Sequence, residues 1–429
     1  MEVAGYLPRI ADAQLADHLR LFGAVEIAGT KWCGKTWTAL KHGSSITYVD
    51  EDRELIRADP KLALIGEAPH VIDEWQLVPS LWDKVRHEVD KSRGLRGGWV
   101  LTGSSTPIVR SGEDAPQHSG AGRIGRVRMW PMSLFESGDS TGSISLKGLF
   151  DGEFQPNKVE TSAAELVALI CRGGWPEAID MASSDALRIA QEYLYLVLED
   201  SIAKHGKDPN IGRRTIMSLA RNLGQATTYK TLKKDMFGSE DEPDQFITDK
   251  TLASYIDLFR SLYLIEEVRG WVPQTRSPKR FAIKPKRYFA DPSLPIAMLH
   301  LNEASLLKDH QTLGLAFENL CVRDLSVYAL ALGADRMNPL RYYHDTAGLE
   351  VDIIIELADG RWAAIEVKLG EDRVPEAVAS LKRLRGKVSE NPLARSTPPA
   401  FMAVLTGLGT YAHECEEGIY AIPIRCLKD

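Results

Sequence analysis

The stretch GAVEIAGTKWCGKTWTAL, residues 23–40, narrows the fold more than any other part of the chain. The apolar run from Val25 to Ala28 reads as a short buried strand. It leads into Gly29-Thr30-Lys31-Trp32-Cys33-Gly34-Lys35-Thr36, the spacing G-x-x-x-x-G-K-[ST], and helix-forming residues follow from Trp37 onward. A strand, a glycine-rich loop and a helix start in that order point backbone N–H groups and the positive end of the helix at an anion. Lys35 is then expected on β/γ-phosphate oxygens and Thr36 on Mg²⁺, with residues Gly29 to Trp37 lining an ATP site.

Two more segments suit the same chemistry. HVIDEWQ, residues 70–76, reads as a strand ending in an acidic pair. Asp73 is expected to hold the Mg²⁺ water shell, and Glu74 to orient or polarise the attacking water. GWVLTGSS, residues 98–105, reads as a third strand ending in Thr102, Ser104 and Ser105, where Ser104 is a candidate γ-phosphate sensor. Arg123 and Arg126 are open to two readings: an arginine finger in trans or sensor in cis, or a solvated strand edge. Between them and the third strand, GEDAPQHSGAG at 112–122 reads as a mobile loop of small residues.

A chain of 429 residues has room for two to four domains. Its net charge of −7 advertises no nucleic-acid partner, so any such signal must be local. The opening MEVAGYLPRIADAQ lacks the regions of a signal peptide, and no apolar run reaches transmembrane length. Five scattered cysteines show no metal-ligand spacing. Together these features lead us to expect a cytoplasmic α/β protein with no membrane contact.

The middle is helical in pattern. AAELVALICRGG and ALRIAQEYLYLVLEDSIA carry helical spacing, and three amphipathic segments of helix-turn-helix length lie between residues 213 and 268, with Thr248 as N-cap of the third. RGWVPQTRSPKRFAIKPKR, residues 269–287, would form a wing. Residues 204–238 hold eight basic against two acidic side chains, and residues 269–287 hold seven basic and none acidic. Such a footprint suits contact with DNA phosphates, although SEDEPD at 239–244 sets four acids beside it. The alternative is a winged helix that meets protein.

LEVDIIIELADGRWAAIEVK, residues 349–368, reads as a β-hairpin turning at Ala358-Asp359-Gly360. A two-residue loop would set Asp352 opposite Val367. A three-residue loop, with Gly360 left-handed, sets Asp352 opposite Glu366 and Glu350 opposite Lys368, all on one face. Opposed carboxylates repel unless a metal ion or a shared proton lies between them, so Asp352 and Glu366 are candidate metal ligands.

DEWQLVPSLWDKVRHEVD, LTGSS and AGRIGRVRMWPMSLFE resemble, in order and spacing, a large family of prokaryotic AAA-like ATPases. GGWPEAI at 173–179 and KPKRYFADPSL at 284–294 resemble that family's joints, so the likeness runs through nearly the whole chain. Its P-loops usually carry Arg or Gln where Lys31, Trp32 and Cys33 stand here. The resemblance implies an AAA-like P-loop domain (1–140), a helical lid (141–205), a winged helix (206–295) and a restriction-endonuclease-like α/β domain (296–429). For the last it implies Glu318 as a helix carboxylate, with Asp352, Glu366 and Lys368 completing a Mg²⁺-dependent nuclease pattern in which the lysine positions water or stabilises phosphate charge. Two functions are then open: an ATP-gated enzyme acting on DNA, or an ATP-dependent remodelling or switch protein, a homo-oligomer, whose end domain only binds.

Overall fold

A computed structural model of the chain describes residues 4–92, 94–105, 118–238, 247–274, 283–391 and 398–429. Most of the small-residue loop at 112–122, the acidic stretch at 239–244, and Lys279 and Arg280 of the wing lie outside the described residues. Packing divides the chain into two compact units, Met1–Pro131 with Leu258–Leu264, and Met132–Asp257 with Ile265–Asp429.

The first unit is an α/β layer structure. Its elements are α1 (Ala11–Leu21), β1 (Ala24–Gly29), α2 (Lys35–His42), β2 (Ser45–Tyr48), α3 (Arg53–Ala58), β3 (His70–Asp73), α4 (Ser80–Lys91), β4 (Trp99–Gly103) and β5 (Ile124–Met129). The strands form one sheet in the order β2-β3-β4-β1-β5, and every pairing is parallel. A parallel sheet needs cover on both faces, and the alternation along β1 provides for it. Val25 and Ile27 pack with Leu15 of α1 and Ala39 of α2. Ala24 faces the other way, into a cluster with Ile72, Leu81, Val85 and Leu101. Register aligns the strand ends: Ala28 lies beside Gly103 on β4, and Ile72 beside Leu101. The P-loop, Asp73 and Thr102 therefore emerge together at the carboxyl edge, where open α/β sheets take their ligands.

The second unit holds a short strand β6 (Ile144–Ser145) and centres on a mixed sheet, nine-stranded among the described residues, that includes β7 (Asn157–Lys158). Its helical part includes α5 (Leu146–Phe150), α6 (Ala163–Arg172), α7 (Ser183–Leu196), α8 (Ile202–Lys204), α9 (Pro209–Arg221), α10 (Tyr229–Phe237) and α11 (Asp249–Ser261), the last within this unit only as far as Asp257. Asp208, Thr228 and Thr248 each accept a backbone N–H and start α9, α10 and α11 in turn. Strands β8 (Ile265–Trp271) and β9 (Lys286–Phe289) pair antiparallel where a wing is expected.

That wing is continuous with the strands of the C-terminal third. β8 pairs in parallel with β10 (Arg341–His344), which continues into β11 (Glu350–Glu356) and β12 (Trp362–Lys368) of the same sheet. A boundary at residues 295/296 therefore cuts one hydrogen-bonded sheet. Short connections made the wing look local, whereas its outer ladder closes on strands some seventy residues onward. Among the remaining helices are α12 (Ser293–Met298), α13 (Glu303–Leu306), the long α14 (His310–Ala331) and α15 (Val374–Ser389). α14 is buried on nearly all sides, with apolar residues around its whole circumference and Asn319, Arg323 and Asp324 buried among them. Val374, Ala377, Leu381 and Leu384 of α15 pack with Val351, Trp362 and Val404 of the sheet. No helix among the described residues is long and apolar enough to cross a membrane.

Candidate functional site

The phosphate loop is held from three sides. Gly29 ends β1 so close to β5 that a Cβ there would lie 2.2 Å from the Met129 carbonyl oxygen, which admits only glycine. Gly34 sits at the N-cap of α2 with φ 93°, and Trp32 takes φ 63° despite its side chain. Cys33 is buried, whereas Trp32 and Trp37 expose their indoles. Lys31 is exposed and Thr30 is buried. Lys35 is almost fully buried, and its ammonium donates to the Thr30 carbonyl at 2.7 Å, folded back over the loop.

Sequence patterning gave no hint of the third support. Arg9, just before α1, is 6% exposed and donates to the carbonyls of Cys33 at 2.7 Å and Trp130 at 2.8 Å. Asp12 holds this segment in place, accepting from the Arg9 backbone, the Tyr6 hydroxyl and, across to α2, His42.

At the strand ends the expected residues meet. Thr36 Oγ1 donates to Asp73 Oδ1 at 2.8 Å, and Thr102 Oγ1 donates to the same oxygen at 2.5 Å. Burial raises the Asp73 pKa above the usual carboxylate range, against the pull of Thr102 and Thr36. Glu74 adopts a left-handed backbone, φ 55°, and its N–H donates to Thr102 Oγ1. Ser104 Oγ donates to Glu74 Oε2 at 3.0 Å, and Gln76, which no motif singled out, donates to both Glu74 and Ser104. Hydroxyl and carboxylate oxygens at the mouth of an amide-lined loop are the hard donors that Mg²⁺ takes, so these residues fit that ion.

Arg123 does not join them. It precedes Ile124, which lies beside Ala24 at the amino end of β1, whereas the loop follows Gly29. Five strand residues, roughly 16 Å, separate the two ends. Arg123 instead donates to Asp90 at 2.8 Å on the exposed side, so the sensor reading in cis is corrected. Arg126 is bound to Glu26, a buried carboxylate in mid-β1 that also accepts from the Trp75 indole N–H.

In the second unit, the hairpin turns through three residues. Leu357 N–H donates to Arg361, Gly360 takes φ 87°, and Ile353 lies opposite Ile365. One step on, this register sets Asp352 across from Glu366. The Lys368 ammonium lies 2.6 Å from Glu366 and 3.5 Å from Asp352, which also accepts from the Val367 N–H at 3.0 Å. Glu318 of α14 reaches the same place, accepting from the Tyr288 hydroxyl at 2.5 Å. Asn319, its neighbour on α14, clamps β9 through both the N–H and the carbonyl of Phe289.

A residue read as part of the basic wing lies at the centre. The Lys286 ammonium, on the inward side of β9, is 2.6 Å from Glu350, 3.4 Å from Glu318 and 3.5 Å from Asp352. Burial opposes its charge, but the three carboxylates outweigh burial and hold its pKa above the usual lysine value. Burial and then the charge of Asp352 push Glu366 up to about 8. Asp352 stays below the usual range despite burial, because Lys286 and Lys368 flank it. The Lys286/Tyr288 spacing of two, which sets both on one strand face, was the available signal. Among the described residues no set of three carboxylate, histidine or cysteine side chains stands arranged to hold a metal ion. Lys286 and Lys368 lie against the Asp352 and Glu366 carboxylates, the places a metal ion would otherwise take.

Part of the basic footprint is paired within the unit, although Lys204, Arg213 and Arg221 remain exposed. Lys204, Arg213, Arg221 and Lys233 pair with Asp200, Glu199, Asp235 and Asp249. Arg287 is buried and paired with Glu267 directly across β8.

Comparison with known proteins agrees with the first unit. A family model described as an AAA domain matches residues 22–137. Two others, each described as a domain of unknown function (DUF8612 and DUF4143), match residues 163–305 and 313–427. No curated protein matches the sequence. Among solved structures, the Walker-type ATPase paby2304 of Pyrococcus abyssi is 11% identical with a TM-score of 0.43, over 67% of this chain and 94% of that one. The Orc1 protein of Aeropyrum pernix, solved in complex with DNA, is 14% identical with a TM-score of 0.24, over 70% of this chain and 95% of that one. Likeness at that level carries no functional argument. Residues 22–137, which carry the P-loop, form an AAA-like, ATPase-type P-loop domain.

Proposed function

We propose that the first unit binds ATP with Mg²⁺ and hydrolyses it, and that this turnover drives a switch or remodelling protein. The observation that carries the reading is the Thr36–Asp73 hydrogen bond at the mouth of the loop, with Glu74 next in sequence and held by Ser104 and Gln76. Backbone N–H groups from Gly29 to Gly34 cradle the phosphates. Lys35 exchanges its bond to the Thr30 carbonyl for phosphate oxygens. Thr36 and Asp73 hold Mg²⁺, which when bound neutralises charge on the phosphate oxygens. Glu74 orients the attacking water and takes up its proton as general base, while Thr102 fixes its backbone.

For the second unit the restriction-endonuclease-like reading rests on the convergence of Glu318, Asp352, Glu366 and Lys368. The lysines among these acids, and the burial of Lys286 and Arg287 away from a DNA-facing surface, favour the alternative in which this unit is a non-catalytic binding module. ATP turnover with and without double-stranded DNA tests the choice. A switch of this kind hydrolyses ATP at a rate that DNA leaves unchanged. A severalfold increase that fades with salt would return the DNA reading to first place.

A further inference from the structure

The carboxylate cluster of the second unit has the residues of a metal-dependent hydrolase, yet two ammonium groups already stand among its four acids. Lys286 enters from β9 and reaches Glu318 on α14 together with Glu350 and Asp352 on β11. Its side chain is only 5% exposed, and Asn319 pins the strand that bears it through the backbone of Phe289. On the other flank, Lys368 bridges Asp352 and Glu366. Every acid of the cluster thus touches an ammonium, and a divalent ion placed among them would stand within a few ångströms of two positive charges. At that range each ammonium repels a divalent ion and competes with it for the same carboxylate oxygens.

We propose that Lys286 is the built-in cation of this site: its ammonium ties α14, β9 and the β11–β12 hairpin together in place of a divalent metal, so the cluster does not take one up and does not cleave phosphodiesters. The inference concerns this cluster alone and is independent of the ATP site. A buried ion network of this kind serves geometry, because removing one member leaves the others uncompensated. It sets the nuclease-like unit apart as a scaffold for binding.

Mn²⁺ alone, titrated into the nucleotide-free full-length protein and followed by electron paramagnetic resonance, tests this directly. Wild type and Asp352→Asn should bind Mn²⁺ alike, since whatever binds elsewhere is common to both. Lys286→Met keeps the length of the side chain and removes the charge, and it should gain an added site, at least a hundredfold tighter than any at this position in the wild type. In the double variant Lys286→Met/Asp352→Asn that site should vanish. A wild-type Mn²⁺ site that Asp352→Asn removes would overturn the proposal, as would Mn²⁺-dependent plasmid nicking that needs Asp352. If Lys286→Met does not fold, the wild-type and Asp352→Asn comparison still decides.

Discussion

Replacing Arg9 with methionine isolates a brace that lies outside the P-loop motif. The change keeps most of the apolar stem but removes two charge-assisted hydrogen bonds, to the carbonyls of Cys33 and Trp130. Each such bond contributes about 1.5–3 kcal/mol, and the two carbonyls would be left with less than their full complement of donors. Together they bias the loop conformation by about 3 kcal/mol, taking the lower figure for each. The segment itself should stay docked, because Asp12 still accepts from residue 9 N–H, Tyr6 and His42. The loss should therefore appear chiefly when nucleotide must order the loop, as an ATP affinity lower by about 100-fold. Calorimetric titration of ATP and Mg²⁺ in a Glu74→Gln background, where turnover does not interfere, measures it. Arg9→Lys, with a single donor head, should fall between. An Arg9→Met affinity within threefold of its parent would refute the brace.

Other outcomes rest on the same geometry. Lys35→Ala should abolish the rise in melting temperature on ATP addition while costing the unliganded protein little, about one hydrogen bond to the Thr30 carbonyl. Glu74→Gln should bind ATP normally and accumulate it unhydrolysed, with turnover at least 100-fold lower in a phosphate-release assay. In the second unit, partial burial works against the Asp345 charge, but Lys387 and the backbone N–H groups of Leu349 and Ala347 pull its carboxyl down to about 2. A depressed folded-state pKa contributes stability above the unfolded value near 4 and loses it as pH falls toward 2, so Lys387→Met should remove about 1 kcal/mol at pH 7 and little at pH 2 in urea titrations.

What could be read from residues alone was whatever neighbouring positions settle. Gly29 to Thr36 encode a loop conformation within eight residues, and HVID and WVLTG encode buried strands with polar ends, so the first site was legible almost entire. The turn Ala358-Asp359-Gly360 likewise carried the hairpin register, because a left-handed glycine at its third position selects a three-residue loop. Charge counts along the chain leave pairing undecided. They register that residues 204–238 are basic but not that their partners come from other helices.

Tertiary structure decided the rest, for one physical reason: the deciding contacts join residues far apart in sequence. Arg9 meets Trp130 across 121 positions, and Lys286 meets Asp352 across 66. Only the strand order shows Arg123 to be at the wrong end of the sheet for the phosphate loop. Only the packing of β9 on α14 turns a lysine from a supposed DNA-facing wing into the counter-ion of three carboxylates. Local sequence patterns state which groups a chain carries and how the backbone bends near them. Whether an acid finds a metal, a water or an ammonium depends on long-range burial, which brings its neighbours from elsewhere in the chain.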